Sequence, residues 1–144
     1  MKKSVLVCVL GLALTASLGA TAEPARPFKV IVNPGVVGRA VPRDVLAQIF
    51  LGQVQRWGNG SPISAVDLSS TSPVRQAFSE QILGRSVDAV KHHWLRRISV
   101  GQRPPLSRPS DEAVVAFVAE EPGAVGYVSV GTPLPESVRE IVVQ

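Results

Sequence analysis

Ile49-Phe50-Leu51-Gly52-Gln53-Val54-Gln55-Arg56-Trp57, taken with Gly123-Ala124-Val125-Gly126-Tyr127-Val128 far downstream, carries the reading of this chain. The first stretch closes a helix. Pro42 suits its first turn, Leu46, Ile49 and Phe50 fall on one face, and Gly52 is placed to end it. Because a proline stands at its start, the amino end has no side-chain acceptor. Trp57 follows as an anchor between elements, or as a residue lining a cleft. The second stretch opens an apolar strand, Ala124 to Val130.

Working outward, the apolar period alternates between two and about 3.6, which predicts strands interleaved with helices. Glu23 to Pro27 reads as a loose leader. Phe28 to Val32 is a β-branched strand stopped by the turn cluster Asn33-Pro34-Gly35. Gly58-Asn59-Gly60 turns into a second strand, Ile63 to Val66. Ser72-Pro73 starts a helix with Val74, Ala77, Phe78 and Ile82 on one face, ended by Gly84. Ser86 caps the next helix, whose apolar stripe is Val87, Val90, Trp94 and Ile98, closed by Gly101. Gly101 to Pro109 is expected to be an exposed loop without regular structure. Ser110 caps a further helix with Asp111 and Glu112 in its first turn and Val114, Phe117 and Val118 inward. A last strand spans Val138 to Val143.

This alternation predicts an α/β layer structure with a mostly parallel sheet flanked by helices. In open sheets of that kind, ligands sit beyond the carboxyl ends of strands, where the next helix points its amino terminus. Ser69-Ser70-Thr71-Ser72 follows a strand and opens a helix, with Arg75 one turn in. Backbone N–H groups, hydroxyls and a guanidinium there suit an anion. Ser70, Thr71, Ser72 and Arg75 are the candidate donors, with Asn33 and Gly35 on a neighbouring strand-end loop lining the mouth. The same residues also fit a serine-rich turn that caps a helix, with Arg75 solvated.

Val32-Asn33-Pro34, Phe50-Leu51-Gly52, Trp57 and Pro122 to Tyr127 occur in the order found in the phosphate-binding periplasmic proteins of ABC uptake transporters, and the chain resembles that family over nearly its whole length after residue 22. The resemblance implies one lobe of a type II periplasmic binding protein, the later part of such a protein, beginning near its crossing strand at Phe28. It implies a non-enzymatic module without a cofactor that binds phosphate or a similar oxyanion. The implied partners are an ABC transporter permease or another envelope protein. Ser72 corresponds to the Ser of the family's oxyanion-donating Ser-Gly-Thr segment. Pro73 and Val74 stand where Gly and Thr are usual, and Asp67 or Leu68 falls near the family's Arg. The alternative is an envelope protein-interaction module that keeps the fold without the ligand.

Lys2 and Lys3 precede an apolar stretch from Val5 to Leu18, followed by the small residues Ala20-Thr21-Ala22, so residues 1–22 read as a secretory signal peptide. The expected location is periplasmic or secreted. The 144 residues less 22 leave 122, the size of one domain, spanning 23–144. No later stretch reaches the ~20 apolar residues of a membrane span. Cys8 goes with the signal, leaving no thiol. Without Lys2 and Lys3, 13 Lys and Arg oppose 11 Asp and Glu, a net charge of +2 that does not argue for nucleic acid. Eleven of those thirteen cations are Arg, whose planar fork suits carboxylate or phosphate.

His92-His93 suggests no metal site, because adjacent helical residues point about 100° apart and no i, i+4 partner is present. Lys91 to Arg97 reads as a solvated helix face over a buried Trp94. No Gly-x-Ser-x-Gly elbow places a nucleophile, so no hydrolase is expected.

Overall fold

The β-branched run Phe28–Val32 forms strand β1, and its Phe28, Val30, Ile31 and Val32 are buried. The computed structural model describes residues 25–144. The segment read as a signal peptide lies outside them. A five-stranded sheet takes the order β4-β3-β5-β1-β6, where β3 is Ser64–Leu68, β4 Leu106–Arg108, β5 Ala124–Ser129 and β6 Arg139–Glu140. β3 runs parallel to β4 and to β5. β1 runs antiparallel to β5, pairing Phe28 with Ser129 and Val32 with Val125, and antiparallel to β6. A second sheet pairs β2 (Ala40–Val41) with β7 (Val142–Val143) in parallel. Three of the five pairings are therefore parallel, within the expected α/β layering.

The helices start and stop where local chemistry places them. α1 (Arg43–Phe50) begins at Pro42 without a side-chain cap and buries Leu46, Ile49 and Phe50. Gly52 then takes φ +75°, and a Cβ there would lie 2.6 Å from the Trp94 ring. α2 (Pro73–Phe78) is capped by Ser72 and runs on into a π-helical turn, Ser79–Leu83, that ends at Gly84 with φ +64°. In that turn the buried Ser79 hydroxyl donates to the Arg85 carbonyl at 2.7 Å. Ser86 caps α3 (Val87–Ile98), and Ser110 caps α4 (Asp111–Glu120), which packs across β5 and β3.

Four rings from four elements form the centre of the core. Phe78 stacks on Tyr127 at 3.8 Å and 5° between planes. Phe28 and Phe50 meet Phe78 edge-on at 5.4 and 4.8 Å. Contacts of this kind add about 0.5–1.5 kcal/mol each beyond area burial, so the cluster ties β1, α1, α2 and β5 together. Gly126 permits the close approach of α4 to β5, since a Cβ there would meet Val66 Cγ1 at 2.7 Å and Val114 Cγ1 at 2.9 Å.

Three expectations need correction. Gly101 to Pro109 is not wholly irregular: Leu106–Arg108 is an edge strand, held by β3 and by Ser69 N–H donating to the Arg108 carbonyl. Pro105 and Pro109 bracket this three-residue strand. Val138 to Val143 is not one strand but β6 and β7, split between two sheets because Ile141 turns into the core. Ile98 is 49% exposed, and His93 takes an inward position beside Val90 and Trp94 instead.

Candidate functional site

The hydroxyl segment Ser69 to Ser72 sits at the carboxyl end of β3, beside the carboxyl ends of β4 and β5. Ser70 and Thr71 are exposed. Ser69 Oγ and Thr71 Oγ1 share a hydrogen bond at 3.1 Å, and Ser72 N–H donates to the Ser69 carbonyl at 2.9 Å, closing a tight turn. Ser72 Oγ accepts from Arg75 N–H at 3.4 Å, so its own proton remains available to donate. Of the first donors of α2, Pro73 has none and that of Arg75 is bound to Ser72, which leaves Val74 N–H.

Arg75 does not face solvent at this mouth. Its guanidinium turns beneath the loop and meets Asp67 Oδ2 at 2.6 Å, with Nη1 also donating to the Leu68 carbonyl at 3.2 Å. Tyr127 donates its phenol proton to Asp67 Oδ1 and accepts Leu68 N–H at 3.3 Å. Burial pushes the Asp67 carboxyl above the usual carboxylate range, and Arg75 and the Tyr127 hydroxyl pull against that rise. Both partners favour the charged form, as an opposite charge and a donated hydrogen bond do. Burial, then the Asp67 charge, push the Tyr127 phenol far above its ordinary value, so it stays a proton donor. The physical role of Arg75 here is to neutralise a carboxylate inside the fold.

Asn33 and Gly35 lie at the other end of the sheet. Because β1 runs against β5, its carboxyl end meets the amino end of β5, and Asn33 N–H donates to the Ala124 carbonyl at 3.0 Å. Asn33 Nδ2 donates to the Val118 and Ala119 carbonyls at 3.0 and 3.2 Å, capping the carboxyl end of α4, and its Oδ1 accepts Gly35 N–H. The structure thus brings Ser70, Thr71 and Ser72 together, places Arg75 directly under them, and separates Asn33 and Gly35 from all four.

No protein-family model matches the chain, and no curated protein is significantly similar to it in sequence. Solved structures do match. An ABC-type phosphate transport receptor from Vibrio cholerae superposes with TM-score 0.65 at 22% identity, over 81% of this chain and 46% of that one. PstS from Borrelia burgdorferi gives 0.66 at 14% identity, over 82% and 47%. A phosphate-bound putative substrate-binding protein of a Clostridium perfringens phosphate transporter gives 0.65 at 17%, over 81% and 44%. The chain has the fold of one lobe of a periplasmic binding protein. It spans less than half the length of the receptors it matches.

Within this lobe, the Asp67–Arg75–Tyr127 network is the feature that the sequence reading missed. A signal for it exists. Asp67 interrupts the apolar strand Ala65-Val66-Leu68, and an acidic residue inside a buried strand requires a partner. Trp57 is an anchor between elements, as its Nε1 donates to the Gly123 carbonyl at 2.9 Å. His93 Nε2 pairs with the Leu51 carbonyl at 2.9 Å, tying α3 to the end of α1.

Proposed function

We propose that this lobe is an exported solute-binding module whose hydroxyl loop, Ser70 to Ser72, takes phosphate or a related oxyanion in the service of ABC-type uptake. The observation that carries the reading is the exposed hydroxyl loop at the carboxyl end of β3, on a fold shared with receptors described as phosphate-binding. The donors would be the Ser70, Thr71 and Ser72 hydroxyls and Val74 N–H. Arg75 would act from below, as a charge already shared with Asp67. Charge-assisted bonds gain most where water is excluded, so a loop this open needs a covering surface, from a permease or another envelope protein, to bind tightly.

The second reading is a protein-interaction module in the envelope that keeps the fold without the ligand. The internal pairing of Arg75 with Asp67 and the missing N–H of Pro73 favour it. Calorimetric titration of the purified protein with inorganic phosphate, with sulfate as competitor, separates the two. Saturable heat that disappears in Ser70→Ala/Thr71→Val supports the oxyanion module. Absence of heat at millimolar phosphate sinks autonomous binding. Arg75→Ala is a poor probe here, because it disturbs the core along with any ligand.

A further inference from the structure

The amino ends of β3 and β4 border a concavity at the opposite end of the sheet from the hydroxyl loop. Its volume is about 790 Å3, within the roughly 300–1,000 Å3 of small-molecule sites. Ile49, Ile63, Trp94 and Phe117 give it an apolar lining, and Pro104-Pro105 forms a stiff wall. Two exposed guanidiniums, Arg56 and Arg103, line it as well. Arg56 spends one donor on the Gly60 carbonyl at 3.0 Å. Glu121 is the one carboxylate in the lining, and it accepts from Ser64 at 3.4 Å rather than pairing with either arginine.

We propose that this groove is a binding site for an amphipathic organic anion, a flat apolar body carrying a carboxylate or sulfonate. The body would lie against Trp94, Phe117 and the proline wall. The acid group would meet Arg56 and Arg103, whose planar forks suit such oxygens better than lysine would. This site is independent of the oxyanion reading, since no residue is shared between the two.

The test uses two dyes with the same aromatic character, 1-anilinonaphthalene-8-sulfonate and its uncharged counterpart N-phenyl-1-naphthylamine. Fluorescence titration of the purified protein should show one saturable site for the sulfonate, roughly tenfold tighter than for the neutral dye, as expected for charge-assisted bonds. Arg56→Ala/Arg103→Ala should remove that advantage and leave the neutral dye unchanged. Leu106→Glu, at an exposed lining residue, should abolish sulfonate binding, whereas Val37→Glu, at an exposed apolar residue elsewhere, should not. Excess phosphate should displace nothing. Equal affinity for the two dyes, indifference to the arginine substitutions, equal effects of Leu106→Glu and Val37→Glu, or no saturable binding would each overturn the proposal. Circular dichroism checks that every variant is folded.

Discussion

The two ends of the central sheet use arginine in opposite ways. At the carboxyl end of β3, Arg75 is drawn under the hydroxyl loop and held by Asp67, with only 11% of its side chain exposed. At the amino end, Arg56 and Arg103 stand exposed beside an apolar groove. The difference follows from what lies beneath each. Asp67 occupies an inward position on a buried strand and must be neutralised, whereas the groove holds no buried carboxylate that would draw its arginines in. At the hydroxyl loop the fold itself engages the guanidinium, whereas at the groove both guanidiniums are left open.

That contrast breaks most sharply at Arg75. Arg75→Ala leaves Asp67 buried without its cation and should destabilise the protein by about 3–5 kcal/mol, read from urea unfolding at pH 7. The loss should depend on pH in a defined sense. A carboxyl whose folded pKa is raised adds most stability below its unfolded value, and that contribution fades as pH rises through the folded value. Without Arg75 the rise is larger, so the variant should lie closer to the parent near pH 4 than at pH 7. Equal losses at both would remove the buried-carboxylate account.

Tyr127→Phe keeps the stack on Phe78 but deprives Leu68 N–H of its acceptor and Asp67 of a donor. The expected loss is about 1–3 kcal/mol in the same unfolding experiment. Ser72→Ala removes the cap of α2 and should cost about 1 kcal/mol. At the other end of the sheet, Arg103→Ala should change stability by less than about 0.5 kcal/mol while weakening the aromatic sulfonate. A large stability loss there would erase the distinction between the two ends.

What was legible in the sequence was local. Ser72, Ser86 and Ser110 announce their helices because capping is settled within three residues, and each accepts the backbone N–H three positions on. Gly52 and Gly84 end helices at left-handed turns for similarly local reasons. The hydroxyl loop beyond β3 was legible for the same cause. The direction of β1 was not, because nothing in Phe28 to Val32 records that its partner is β5 running the other way. That one unknown moved Asn33 and Gly35 to the far end of the sheet. β4 escaped notice because its three residues owe their conformation to β3 rather than to propensity. The burial of Arg75 was half written, in an acidic residue set among Val66 and Leu68, and only the packing of α2 against β3 completed it.

The antiparallel seam between β1 and β5 has a further consequence for how the molecule comes into being. Phe28 and Ser129 are register partners, so the middle of the sheet joins residues about a hundred positions apart, a separation that slows folding. Until Tyr127 emerges, Phe28, Phe50 and Phe78 lack the ring that completes their cluster. A growing chain therefore cannot complete its aromatic core until its last strands are made.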